Sequence, residues 1–249
     1  MQYSDELLDQ HAPRLSRLTA CGASPVEELP NYAGSLRFSR IVMQIGWPAD
    51  VQSLVWTYID RAGAAIEEHN RGVEALREYV SELPAAHKPR LARRAVTRFE
   101  MALLQSQIAV GCFVRIAEIV RDKLPVPDKS AKLVEHRPSR ERLRLLSNNI
   151  KHFDEAVVRV LKRGEPVLRA PMWLTNDGFA ARVAPKDERS RSYPTSFDVA
   201  VTFREFEELL GDLSRNAEFF GETALQEVLK RQQAQQEQQP KPQAKSGSG

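Results

Sequence analysis

WPADVQSLVWTYIDRAGAAIEEHNRGVEALREYVSELP, running from Trp47 to Pro84, is the stretch that decides the fold. Its apolar residues recur as Val51, Val55, Ile59, Ala62, Ile66, Val73, Leu76, Val80 and Leu83, at the threes and fours of a helix with one buried side. Pro48 suits a first helical turn and Pro84 stops the pattern, so one long amphipathic helix is expected. A second begins near Pro89 and sets Val96, Phe99, Leu103, Val110, Phe113, Ala117, Val120 and Leu124 on one stripe before Pro125. A short connection between two such helices makes them antiparallel neighbours.

Working outward, a loop with Pro125, Pro127 and Pro138 leads to a third helix, with Leu143, Leu146, Ile150, Phe153, Val157 and Val160 in register up to Gly164. Thr202 and Glu205 have capping-box spacing ahead of a fourth helix bearing Phe206, Leu210, Leu213, Ala217, Phe220, Ala224 and Val228. Between these two helices the period drops to two. Val167 to Leu174, the turn Asn176-Asp177-Gly178 and Phe179 to Val183 read as a hairpin, and Phe197, Val199 and Val201 alternate with Asp198, Ala200 and Thr202. The expected architecture is mainly α: an antiparallel four-helix-type bundle over residues 47–231 with a small β insertion at about 166–201. Residues 1–46, punctuated by Pro13, Pro25 and Pro30, read as an N-terminal appendage without its own core. Residues 232–249, QQAQQEQQPKPQAKSGSG, read as a disordered low-complexity tail.

Composition narrows the function classes. The 249 residues are 42% hydrophobic and 28% charged, an ordinary balance for a folded globular chain. Thirty-six Lys and Arg against 33 Asp and Glu leave +3, so any basic signal must be local. Cys21 and Cys112 have neither disulfide-framework nor CxxC spacing, and a reducing cytoplasm is the expectation. No apolar stretch follows a basic N-terminus, and Arg115 and Glu118 interrupt the longest apolar run, so no membrane association is expected.

No GxxxxGK[ST] loop, GxSxG elbow, HExxH pair or GxGxxG turn occurs. A di-iron bundle needs Glu-x-x-His, but Ile66, Pro84, Leu133 and Asn149 stand three before His69, His87, His136 and His152, so neither a metal nor another cofactor is expected. The informative segment is Ser147-Asn148-Asn149-Ile150-Lys151-His152 on the third helix. Asn148 and His152 are four apart and share a helix face, where an amide and an imidazole would be presented together. Read as structure alone, they are polar neighbours on a helix flank.

A long-helix pair followed by a third helix carrying Asn-x-x-x-His and then a fourth helix resembles the HEPN family, over roughly residues 48–222. The resemblance implies a helical bundle, a homodimer whose motif helices meet across a cleft, and metal-independent ribonuclease activity of the kind found in bacterial toxin–antitoxin, CRISPR-associated and antiphage defence systems. It assigns the catalytic roles to His152 and Asn148. The family's arginine, however, falls on Ser147, and no histidine in the chain has an arginine in the corresponding window. Metal-free RNA cleavage needs a near-neutral base or acid and a fixed cation for the developing phosphorane charge, and serine supplies no charge. Any surviving catalysis would borrow its cation from Arg115, Arg144 or a second protomer, with Arg115 favoured if the middle of the third helix meets the later part of the second.

Helix two carries the best basic patch: Lys88, Arg90, Arg93, Arg94 and Arg98, with no acidic residue between Leu83 and Phe99. It is either a contact for RNA phosphates or an acidic protein partner, or simply a solvated face near a helix start. Interleaved aromatics for base stacking are lacking. Farther along, Leu104, Ile108, Cys112 and Ile119 form a second apolar stripe, read as a self-association surface or as the bed for the appendage. Trp173 is read as a cap on the bundle core rather than a recognition aromatic. Three functions therefore compete: a HEPN-like binding module without nuclease activity, which leads; a ribonuclease using His152; and a structural subunit of a larger complex.

Overall fold

The computed structural model describes residues 18–30, 47–81, 88–119, 137–152, 172–183 and 197–237. Four helices and three strands lie among them: α1 (Ala49–Ser81), α2 (Lys88–Ile119), α3 (Pro138–Lys151), β1 (Trp173–Thr175), β2 (Gly178–Val183), β3 (Phe197–Thr202) and α4 (Phe203–Glu237). The protein is mainly helical, with a small antiparallel sheet between the third and fourth helices.

The chain directions follow from cross-helix contacts. Arg61 reaches Gln105, Arg98 reaches Glu68 and Arg94 reaches Glu78, so α1 and α2 run antiparallel. The Tyr58 ring meets Phe220 and the His69 ring meets Phe206, which makes α4 antiparallel to α1 as well. Arg140 pairs with Asp212 and Arg142 with Glu205, setting the shorter α3 antiparallel to α4. Phe99, Phe179, Phe203 and Phe206 are fully buried where α2, the sheet and α4 converge, with ring centroids 5.0–5.4 Å apart along the cluster. Each such buried ring contributes roughly 1.5–3 kcal/mol through the area it removes from water. Tyr58, Phe113 and Phe220 form a second cluster farther along the bundle.

The β insertion is locally encoded. Asn176 and Asp177 form a two-residue turn between β1 and β2, and β2 pairs in turn with β3. Gly178 sits where a Cβ would lie 2.0 Å from the Val201 carbonyl oxygen, so only glycine lets the two strands close there. Thr202 and Glu205 form the expected box: the Thr202 N–H donates to the Glu205 carboxylate at 3.0 Å, and the Glu205 N–H donates to the Thr202 hydroxyl at 3.2 Å.

Three boundaries differ from the sequence reading. Helix α3 starts earlier, with Pro138 in its first turn, and ends at Lys151, with His152 as its C-cap at φ −106° and ψ 17°. Its last turn holds Asn148 and Asn149, a residue type whose side chain competes for backbone hydrogen bonds and weakens helix propagation. Helix α4 continues to Glu237, into the stretch expected to be disordered, because Gln, Ala and Glu are good helix formers that extend a helix without needing a core. The expected extensions of helix two to Leu124, of helix three to Gly164 and of the hairpin back to Val167 lie outside the described residues. By length and composition, Leu91–Ile119 would also serve as a membrane span, despite Arg115 and Glu118; in this fold its Phe99, Leu103, Ala109, Phe113 and Ile116 are buried in the bundle.

Residues 18–30 of the expected appendage form a strap without regular structure, tied down almost entirely by side chains. The Thr19 and Ala20 N–H groups donate to Asn176 Oδ1, the Gly22 N–H donates to the Asn176 carbonyl at 2.9 Å, and the Ser24 N–H donates to Glu207 Oε1 at 2.7 Å. Asn70 both accepts from the Val26 N–H and donates to the Val26 carbonyl, each at 2.9 Å, imitating a strand partner. The strap therefore lies over α1, the β1–β2 turn and the start of α4, and the second stripe of α2 is not the bed for this part of the appendage.

Candidate functional site

Lys88, Arg90, Arg93, Arg94 and Arg98 all lie in the first third of α2. The side chains of Lys88 and Arg90 are outside the described set, whereas Arg93, Arg94, Thr97 and Arg98 line one shallow depression of about 450 Å3. Helical spacing at i, i+1, i+4 and i+5 brings these four together on adjacent turns. The patch is less naked than its own helix suggests. Arg98 donates twice to the Glu68 carboxylate, at 2.8 and 2.9 Å, and Arg94 lies 3.8 Å from Glu78, both carboxylates coming from the antiparallel α1. Arg93 is exposed and has no ion-pair partner among the described residues. Among the described residues the depression thus holds one guanidinium without an ion pair, one loosely held and one clamped.

The second candidate lies on α3. Asn148 and His152 are one turn apart and both half-buried, and the His152 N–H donates to the Asn148 carbonyl at 3.1 Å as part of the helix end. Ser147, at the position of the family's arginine, is buried, and its hydroxyl donates to the Leu103 carbonyl of α2 at 3.3 Å. That contact also corrects the expected packing. Ser147, in the second half of α3, meets Leu103, in the first half of α2, and Arg115 is twelve residues on, about 18 Å along the helix axis. The antiparallel run carries His152 still farther from Arg115, which is exposed and paired with Glu118 at 2.8 Å. Arg144 is exposed and donates to Glu141 at 2.6 and 2.9 Å. Neither of the expected intramolecular donors is directed at His152.

Two polar constellations escape a linear reading. His69 is fully buried between the rings of Phe99 and Phe206, with Nε2 2.9 Å from the Ser24 carbonyl oxygen. Since a carbonyl only accepts, Nε2 carries the proton, and Nδ1 is buried without a hydrogen-bond partner among the described residues. Burial lowers its pKa to about 4, so the ring is neutral, with Glu207 Oε1 3.8 Å from Nε2. Its apolar-face position at Ile66-x-x-His69 is the only sequence signal, and that marks a core residue as readily as a ligand.

The other constellation is Asp212, 8% exposed, which accepts from Arg140 at 2.6 Å and from Arg215, while its backbone carbonyl accepts from Asn216. Tyr58 donates to the neighbouring Leu213 carbonyl at 2.8 Å, and burial, then the Asp212 charge, push its phenol well above the ordinary range. Arg140 Nη1 and Arg142 Nε are buried with no hydrogen-bond partner among the described residues. This network ties α1, α3 and α4 together. Trp173 is half-buried on β1.

Among the described residues no group of three or more His, Cys, Asp or Glu side chains could hold a metal ion. The thiol of Cys112 is pushed up by burial, with Arg61 opposing, and Cys21 and Cys112 are both free. In comparison with known proteins, no family model, curated sequence or solved structure matches this chain.

Proposed function

We propose that this chain is a HEPN-like binding module that holds an anionic macromolecule against the outward face of α2 and does not cleave RNA. The observation that carries this reading is the depression in which Arg93, Arg94 and Arg98 converge around Thr97. The non-catalytic part rests on Ser147, whose side chain is committed to the α2–α3 packing where the family pattern needs an exposed cation. Membership of a defence or toxin–antitoxin type system, a homodimer and a cytoplasmic location belong to the same reading and rest on the resemblance.

Fluorescence anisotropy with labelled poly-glutamate and with a generic single-stranded RNA, at rising salt, tests it. Binding should weaken as salt rises, since the contacts are ionic, and Arg93→Ala with Arg94→Ala should weaken it further. RNA recovered after incubation should be intact for both the wild type and His152→Ala. Cleavage by the wild type that His152→Ala abolishes would replace this reading with the ribonuclease; no binding of either probe at low salt would remove it.

A further inference from the structure

The outward face of α2 does not stop at its arginines. At about 100° per residue, Arg93, Arg94, Thr97, Met101, Leu104 and Ile108 fall within an arc of about 100°, so one continuous stripe is basic in its first half and apolar in its second. Met101 is 39% and Ile108 45% exposed, two of the few large hydrophobic side chains left open to solvent among the described residues. Thr97, Met101, Leu104 and Ile108 follow one another by four, three and four, the spacing of a seam against which a second helix lies.

We infer that this stripe is the docking surface for an acidic, amphipathic helix of a partner protein: carboxylates meet Arg93 and Arg94, and an aliphatic edge covers Met101, Leu104 and Ile108. The inference rests on the binding-module reading and assigns its partner. Three observations favour this occupant over RNA. Both aromatic residues of α2, Phe99 and Phe113, are buried, so the face has no platform for bases. Glu68 and Glu78 flank the arginines; a strand of nucleic acid, with a charge about every 3.4 Å, runs its phosphates past these carboxylates, whereas a peptide needs only one or two acidic groups aimed at Arg93 and Arg94. A partly exposed aliphatic run directly after the basic turns gives nothing to a phosphate chain but contributes buried area to a protein interface, where arginine and methionine are enriched. A second copy of this chain, paired two-fold about Ile108, would use the apolar half alone and leave Arg93 and Arg94 outside the seam.

The test uses the full chain and synthetic helical peptides of about 16 residues, with glutamates at one end and a leucine stripe at the other, made in both orders. Poly-glutamate and a 16-nucleotide single-stranded RNA serve as controls. One order should bind at least about tenfold more tightly than poly-glutamate, and Arg93→Glu and Ile108→Glu should each abolish that gain. Ile108→Gln, a milder change at an exposed site, should reduce it in part, with helicity by circular dichroism unchanged. Binding of both orders no better than poly-glutamate, with no response to Ile108→Glu or Ile108→Gln, overturns the inference while leaving the module reading intact. Tighter binding of RNA that responds to the arginines and not to Ile108 assigns the face to nucleic acid, and conversion of a dimer to a monomer by Ile108→Glu in light scattering assigns it to a second copy. If Arg93→Ala and Arg94→Ala leave poly-glutamate and RNA binding unchanged, the module reading itself fails.

Discussion

The strap junction and the outward face of α2 are both rich in polar side chains, and they use them in opposite ways. At the junction His69, Asn70, Asn176 and Glu207 are aimed at backbone groups of residues 19–26, and His69 is fully buried. On α2, Arg93, Arg94 and Thr97 are exposed, and Arg94 meets only another side chain across a loose 3.8 Å. A buried polar group bonded to backbone is costly to lose, since its partner is left orphaned, whereas an exposed ion pair contributes little to stability and exchanges readily with a ligand. The difference separates residues that hold the fold from residues free to bind.

Substitutions should divide along the same line. His69→Ala empties the space between Phe99 and Phe206 and orphans the Ser24 carbonyl, and should cost about 3 kcal/mol or more in urea denaturation. Gly22→Ala comes next: its Cβ would lie 2.6 Å from the Asn176 carbonyl oxygen, so the strap must lift, exposing the 18–30 segment to limited proteolysis. Arg93→Ala should change stability by less than about 0.5 kcal/mol while weakening poly-glutamate binding. A large loss of stability from Arg93→Ala, or none from His69→Ala, would contradict this division between the two regions.

Two ionisable groups shifted by burial make stability depend on pH. The unfolded chain protonates His69 near 6.5 and the folded chain only near 4, because burial disfavours the imidazolium. Its contribution is therefore present above 6.5 and lost as pH falls toward 4, by about 3 kcal/mol in all. Glu100, half-buried on α2 with Oε1 unpartnered among the described residues, works the other way: burial lifts its carboxyl to about 7 from 4.5, so the folded state loses stability as pH rises through that window. Between 4.5 and 6.5 the two oppose each other, and the wild-type denaturation midpoint should change little. Glu100→Gln should uncover the rise due to His69 and be more stable than wild type at pH 8, by about 1 kcal/mol after allowing for partial solvent contact. His69→Gln should uncover the fall due to Glu100. Parallel pH profiles for wild type and both variants would contradict these assignments.

What could be read from the chain followed the same division. Helix stripes, the capping box at Thr202 and Glu205, and the Asn176-Asp177-Gly178 turn depend on neighbours within a few residues, so pattern alone located them. The strap could not be read, because His69, Asn70 and Asn176 meet partners 44 to 157 positions away. The Asp212 network was hidden in its cross-helix half: Arg215 stands three residues from Asp212 on α4, but Arg140 looks like a solvated cation until α3 and α4 are laid antiparallel. The basic patch was legible as residues, but its partial neutralisation was not, since Glu68 and Glu78 lie on the other helix. The end of α3 at His152 depends on weak local propensity that the apolar stripe of the third helix masked.

Whether the outward face of α2 binds while the buried polar groups hold the fold can be decided by following the arginine side-chain Nε–Hε resonances of the full chain as poly-glutamate is added. Progressive shifts that reverse with salt are expected at Arg93 and Arg94, and none at Arg140, whose guanidinium is held by Asp212. Shifts confined to Arg140, Arg142 and Arg144 on α3, with Arg93 and Arg94 unmoved at saturation, would contradict it.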